Sequence, residues 1–516
     1  MSMPNHSRVS PDKQDRAKGE TRSVSLVPYL CAAGFLTALL WITWPYVEDD
    51  AYIHCQFARN LYTGGEFSFN PGQIVFGDSS PLWVFLLIGL RVLGLPFEMG
   101  AKLLSGAFAL LSCWLLVRLI ERCAGLCGRD SRLRAWSMAL FLSHPFLIAI
   151  IPTGMETTLA VAWLLGFSLA SERALLSDRI LPGAGLGLAA ALGTLVRPEF
   201  LLLGPCFVSA IVLRRLFHRS NGEGRWVGKA AFFLLLWAVV VAGIAAACYG
   251  YFGQVLPTTL RAKSYDAGLF SAMGAVRTAK VLAVGYGPLV LVALGSGVSW
   301  HRLAEVVGRI PLVLSGWALL LVGAYVAMSA NVQTRYALLL WPWVAVFFAL
   351  LAESAGTHAR RRLVWASGLC FLLAASCITA FPAQVSRVYN SRQVRALCDQ
   401  VVRDTPADAV LGVYAIGEIG YRTQRRLVDL GCIITPEMAD VAPEKRLDFA
   451  MELGATYVML PIIDLPRLGV SPGKAAIRAS YRNATWQFPP SRYWEGWKEA
   501  LVPVSEIRPS SISVRR

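Results

Sequence analysis

Apolar residues in this chain gather in long unbroken runs instead of alternating with polar ones. The first runs from Leu26 to Trp44, and others follow at about 81–95, 100–118, 135–151, 155–170, 181–196, 198–213, 230–250, 281–298, 310–328, 336–353 and 363–381. A helix needs about 20 apolar residues to cross hydrocarbon, and each run is near that length, though several are short. The first run is longer than a signal-peptide core and lacks a small-x-small cleavage site, so it reads as a retained helix. The pattern predicts a polytopic α-helical membrane protein with about 11 transmembrane helices.

Basic residues between the runs set an orientation. Arg118, Arg122, Arg129, Arg132 and Arg134 form one cluster, and Arg214, Arg215, Arg219, Arg225 and Lys229 a second. Arg302 with Arg309, and Arg360 to Arg362, complete the set, and the positive-inside rule assigns all four to the cytoplasm. An inside N-terminus then requires an odd number of crossings between Ser80 and Arg118. Two runs lie there, so one of them, the shorter 81–95 or its neighbour, is expected to be juxtamembrane or re-entrant. Segments 45–80, 152–157, 251–280, 329–335 and everything after 382 then share the extracytoplasmic face. From about 385 charged residues return, and strand-like runs (409–414, 456–460) alternate with helical stretches (391–403, 444–453), which predicts a small α/β domain. The expected organisation is a disordered cytoplasmic tail (1–25), a transmembrane domain (26–382) and a C-terminal extracytoplasmic α/β domain (383–516).

Composition agrees with this reading. Of 516 residues, 55% are apolar and 16% charged, with a mean hydropathy of +0.50, too little polar surface for a soluble globule. The net charge of +16 is dispersed over short loops, which suits membrane orientation and excludes nucleic acid as a partner. Most of the 11 cysteines sit inside apolar runs as small core residues. Cys123 and Cys127 have no second ligand pair for zinc, and Cys398 with Cys432 are disulfide candidates if their domain is extracytoplasmic.

Chemistry centres on Glu48-Asp49-Asp50-Ala51-Tyr52-Ile53, where the first apolar run gives way to a loop. One carboxylate suits a general base for an acceptor hydroxyl, while the other orients it or helps hold a divalent cation. The bland alternative is a solvated helix end. Adjacent acids on an extended segment point opposite ways, which argues for separate tasks. Arg59, Arg261, Lys263 and Arg335, the last followed by Tyr336, are cations on the same face suited to a lipid phosphate, although each alone also fits an interface anchor. Arg197-Pro198-Glu199 is either an ion pair at a helix break or part of a pocket wall, and Glu156 is either a loop cap or a pocket acid. His54 and His144 lack ligand-spaced partners and read as interfacial histidines. Asn483 opens a glycosylation sequon, and Trp486, Tyr493, Trp494 and Trp497 read as core of the last domain before sugar-stacking residues.

Taken in order, EDDAYIHCQFARNL, FNPG, SSPLW, GMET, LVRPEF, YFGQVLPTTLRAK, TRYALLLWP and IGYRTQRRLVDLG give a chain that resembles the GT-C superfamily of multi-pass glycosyltransferases. Within it, the chain is most similar to the group of mycobacterial terminal β-(1→2) arabinofuranosyltransferases and their bacterial relatives. The resemblance implies a bacterial cytoplasmic-membrane enzyme with its site on the extracytoplasmic face. It implies a polyprenyl-phosphate-linked sugar donor entering from the membrane lipids and a cell-envelope glycan or lipid as acceptor. Asp49, with Asp50 in second place, is then the catalytic base, and Lys263 and Arg335, supported by Arg59, meet the donor phosphate. Gln56, Thr258-Thr259 and Ala415 depart from the relatives' pattern at positions that would shape a sugar pocket. Two other classes fit the residues: a transporter or flippase for a lipid-linked glycan, which needs charges deep within helices, and a glycan-binding scaffold acting through its last domain.

Overall fold

A computed structural model describes residues 26–125, 131–176, 181–217, 225–259, 272–327, 333–442, 445–461, 477–480 and 498–503. The N-terminal tail, Arg261, Lys263, Asn483, Trp486, Tyr493, Trp494 and Trp497 lie outside the described residues. The chain is a multi-pass helical membrane protein with a small mixed sheet at its end. Its helices are α1 (Val27–Ile42), α2 (Asp49–Gly64), α3 (Pro81–Val92), α4 (Phe97–Cys123), α5 (Ser131–Leu142), α6 (Pro145–Ile150), α7 (Thr157–Leu176) and α8 (Leu181–Gly193). Then come α9 (Leu203–Phe217), α10 (Arg225–Phe252), α11 (Ala272–Gly295), α12 (Trp300–Arg309), α13 (Leu312–Ala327), α14 (Thr334–Ala337), α15 (Trp341–Glu353), α16 (His358–Ala375) and α17 (Phe381–Asp404).

Among the described residues, six helical stretches are long and apolar enough to cross a membrane, or up to eight if each of two bent pairs is one span. The pairs are α5 with α6, bent by 57°, and α12 with α13, bent by 101°. Three shorter apolar helices, α1, α3 and α8, complete the apolar set. The run at 81–95 is one of these, a 12-residue helix. Along α4 the two ends of the molecule differ in charge. Near its start lie Glu98 and the buried Lys102; about 24 Å further along, from 16 residues at 1.5 Å each, Arg118 and Arg134 flank the buried Glu121.

The expected domain boundary at 382 falls inside continuous helix. After α16 the helix passes through a π-helical turn at Ser376–Ala380 and runs on as α17 to Asp404, so the last domain hangs from a membrane helix with no linker. Beyond it come β1 (Val410–Val413), α18 (Gly417–Thr423), β2 (Arg426–Asp429), α19 (Arg446–Glu452), β3 (Tyr457–Pro461), β4 (Ile477–Ser480) and β5 (Lys498–Pro503). The sheet order is β2-β1-β3-β5-β4. β1 pairs in parallel with β2 (Leu411 opposite Leu427) and with β3 (Leu411 opposite Tyr457), while β5 runs antiparallel to β3 and β4. A central parallel strand is covered on both faces, which is why the 409–414 run is apolar throughout. The candidate Cys398–Cys432 disulfide does not form: Cys398 keeps a free thiol against the Glu418 carbonyl, and Cys432 lies against the Leu430 carbonyl.

The first loop, together with Thr258 after α10, docks this domain. Asp49 Oδ1 and Oδ2 accept the main-chain N–H groups of Glu418 (2.8 Å) and Gly417 (3.1 Å) at the start of α18. Approach there is so close that a Cβ on Gly417 would sit 1.8 Å from the Asp49 carbonyl oxygen, so only glycine fits. In the FNPG motif, Asn70 both donates to the Leu427 carbonyl (2.9 Å) and accepts the Leu427 N–H (3.0 Å) on β2. Thr258 donates its hydroxyl to the Ile433 carbonyl. Around α18, Arg422 donates to Tyr52 (2.6 Å) and Glu418 (2.7 Å), and Tyr421 donates to Glu98 (3.0 Å).

Removing the Asn70 amide strands a buried N–H and C=O at about 1–3 kcal/mol each. Asn70→Ala and Gly417→Ala are therefore expected to lower the thermal midpoint in detergent and to expose the chain after Asp404 to limited proteolysis. Unchanged melting and cleavage in both variants would remove this docking from the account.

Candidate active site

The acidic stretch is helical, which corrects the expectation of an extended segment. Glu48 stands at the N-cap with extended backbone, and Asp49 and Asp50 fill the first turn of α2, where carboxylates oppose the positive helix end. Nothing from Asp49 to Thr63 breaks a helix, and Gly65 ends it in the left-handed conformation. Asp50, Ile53 and His54, at spacings of three and four, consequently share one face.

That face meets a cavity of about 230 Å3 lined also by Gly77, Asp78, Ser79, Met155, Glu156, Arg197, Thr259, Gln333, Arg335, Tyr336 and Ile433. Each wall has its own local cause. Asp78 precedes α3 and accepts the Ser80 N–H (2.6 Å). Glu156 follows Gly154, whose φ of 74° turns the chain sharply into α7 where an added Cβ would lie 3.2 Å from that of Ala101. Arg197 is the extended residue before the 3-10 turn Pro198–Leu202, as expected of a residue preceding proline. Arg335 and Tyr336 lie on the short helix α14.

The charges interlock. His54 contacts Asp78 through Nδ1 (2.6 Å) and Glu156 through Nε2 (3.3 Å). Glu156 in turn accepts from Arg197 (2.5 Å), which also pairs with Glu199 (3.0 Å). Arg335 pairs with Asp50, and Arg197 and Arg335 both stack on the Tyr336 ring, at 5.0 and 5.1 Å. Burial alone would lower the His54 pKa, but the Asp78 and Glu156 carboxylates outweigh it and hold the imidazole up at about 10, so it is an imidazolium. Burial would likewise raise Glu156, yet the His54 hydrogen bond and the Arg197 charge keep it well below the usual carboxylate range.

The two adjacent aspartates part company. Burial pushes Asp49 up to about 7, against the pull of its two main-chain donors. That value suits proton transfer, but its oxygens face Gly417 and Glu418, not the cavity. Geometry takes precedence over pKa in choosing a base, and it reverses the order expected from the sequence, favouring Asp50, the one that lines the cavity, over Asp49. Nor do the two converge as cation ligands; among the described residues no three acids, histidines or cysteines form a metal-binding group.

Several expectations change with this geometry. Arg59 is not in the cavity: it donates to the Tyr421 carbonyl (2.8 Å), contacts Gln56 and stacks over the Tyr421 ring at 4.4 Å, holding the last domain. Arg261 and Lys263 lie outside the described residues, although Thr259 lines the cavity. Glu199 braces Arg197 from outside the cavity lining. His54 is no interfacial bystander, and Asp78 and Ile433 enter the site unforeseen. The i, i+4 spacing of Asp50 and His54 was the available signal for the first of these.

Comparison with known proteins places this geometry in context. Residues 384–503 match a domain family described as Domain of unknown function (DUF8728). The terminal β-(1→2)-arabinofuranosyltransferase of Mycobacterium tuberculosis is 26% identical over 241 residues, covering 43% of this chain and 36% of that protein's length. Among solved structures, ArnT from Cupriavidus metallidurans bound to undecaprenyl phosphate superposes with a TM-score of 0.58 at 12% identity, over 94% of this chain and 100% of that one. The Archaeoglobus fulgidus oligosaccharyltransferase, in complex with Zn and sulfate, gives 0.55 at 14% identity, over 86% and 68% of the two chains. Over most of its length the chain thus has the fold of these two solved structures, a GT-C-like one.

Proposed function

We propose that this protein transfers a sugar, with inversion, from a polyprenyl-phosphate donor to a hydroxyl of a cell-envelope glycan or lipid at the extracytoplasmic face of a bacterial cytoplasmic membrane. One observation carries the reading: Asp50 and Arg335, 285 residues apart, meet as an ion pair on the wall of one polar cavity. The relatives' chemistry supports the class of donor, and the arabinofuranosyltransferase likeness favours a pentofuranose. Basic clusters at the opposite end of α4 support the orientation.

In this reading Asp50 takes the acceptor proton as the hydroxyl oxygen bonds to the anomeric carbon. The bond from that carbon to the phosphate oxygen breaks, and its electron pair leaves with the lipid phosphate. Arg335, whose buried Nε–H has no acceptor among the described residues, receives the phosphate in exchange for Asp50 and so frees the base. Arg261 and Lys263 add positive charge to the same task. Asp78, His54 and Glu156 hold Arg197, and with it the Tyr336 ring, as a fixed charged wall.

Transfer from a defined polyprenyl-phosphate sugar by purified protein tests the assignment. Asp50→Asn is expected to lower kcat by about 10²- to 10⁴-fold, the usual worth of a positioned base. Asp49→Asn retains most transfer and lowers the thermal midpoint instead. Near-normal transfer by Asp50→Asn would remove it as the base.

The His54 imidazolium gives a separate pH signature. Its pKa is raised on folding from 6.5 to about 10, so its stabilising contribution is complete below about pH 6.5 and is lost as pH rises through about 10. Thermal unfolding of His54→Gln is expected to lack that decline. Parallel pH profiles for the two proteins from pH 6 to 10 would show that the histidine does not carry it.

A further inference from the structure

Among the described residues, the C-terminal domain reaches the cavity through a single residue, Ile433. The loop that presents it is built around a buried carboxylate. Asp429 accepts the main-chain N–H groups of Gly431 (2.7 Å), Ile433 (2.5 Å) and Ile434 (3.0 Å), and its own N–H donates to Thr435 Oγ1 (2.9 Å). A carboxylate that gathers three main-chain donors fixes the path of the chain between them. The path is tight enough to hold Cys432 at φ 69°, a left-handed conformation that few residues other than glycine adopt.

The loop is also held from the membrane domain. Thr258 donates its hydroxyl to the Ile433 carbonyl, while its own N–H bonds the Phe76 carbonyl at 2.9 Å. Gly77 packs closely on the same residues: a Cβ there would lie 3.0 Å from Ile434 and 3.1 Å from the Ile433 carbonyl oxygen, tighter than an ordinary contact. The main chain of Ile433 is thus fixed from both domains, and its β-branched side chain is stiff about χ1. It lines the cavity together with Asp50, Asp78 and Arg335.

We infer that Ile433 is a specificity-determining residue, a rigid apolar wall that limits the bulk of the sugar ring beside Asp50 and Arg335 and favours a five-carbon over a six-carbon sugar on the donor. This rests on the glycosyl-transfer reading above. The extra CHOH unit of a hexose would meet hydrocarbon where it needs both space and a hydrogen-bond partner, and the site would disfavour it on both counts.

The test uses the full-length protein in lipid nanodiscs with two donors, a polyprenyl-phosphate pentofuranose and a polyprenyl-phosphate hexose. In Ile433→Ala the hexose-to-pentose ratio of kcat/KM is expected to rise by about tenfold or more, the range that one or more methylenes command in an apolar pocket. Ile433→Val, which barely disturbs packing, shifts the ratio the same way by less. Ile433→Phe raises KM for both donors, the hexose more. A ratio within twofold of wild type in both the Ala and Val proteins, while they still transfer sugar, overturns the assignment of Ile433 alone. A wild-type protein that transfers neither sugar overturns the transferase reading, and this inference with it.

Discussion

Charge buried beside a membrane must be matched by charge, and the site is organised by that constraint. An isolated ion taken out of water costs several kcal/mol even after relaxation. Asp78, His54, Glu156, Arg197 and Glu199 meet it as a continuous alternation of sign, contributed by the first loop, the turn before α7 and the break after α8. Removing any interior member leaves its neighbours facing uncompensated charge, so the chain of pairs holds the cavity wall rigid before any substrate arrives. A preformed wall of this kind lowers the reorganisation that a developing charge would otherwise require.

Asp50 and Arg335 stand apart from that alternation. Their pairing joins α2 to α14 directly, and the Asp50 side chain remains partly accessible, at 37%. An ion pair open to the cavity can exchange partners with an incoming anion; one enclosed on all sides cannot. The neighbouring Asp49 is enclosed, and its contacts are main-chain groups of α18. Successive residues on a helix point about 100° apart, so one acidic dipeptide serves two domains: one carboxylate faces the cavity and the other fastens the C-terminal domain behind it.

Fastening has consequences for the cavity. The last domain continues a membrane helix and is seated on the first loop through Asp49 and Asn70 and on Thr258 after α10, with Arg59 stacked on Tyr421. A domain with these attachments is a fixed part of the wall, and its Asp429 loop carries Ile433 to the same space as Asp50.

Much was legible in the residues alone. Hydropathy is local and nearly additive, so runs of apolar residues declared the membrane helices, and the strand-like runs at 409–414 and 456–460 declared the sheet. The residue types of the site were legible too, since Asp50, Glu156, Arg197 and Arg335 are polar groups set at the ends of apolar runs. Partner choice was not. His54 finds its carboxylates 24 and 102 residues away, and Arg59, whose place on the same face as the acids suggested a phosphate contact, turns instead to Tyr421, 362 residues on. Such pairings depend on helix faces and packing across distant segments, and the helical turn at Asp49, once read as extended chain, decided which carboxylate met the cavity. Sequence determined which groups sit at the membrane edge; only the tertiary structure, by bringing remote segments within hydrogen-bond reach, decided which of them share a site.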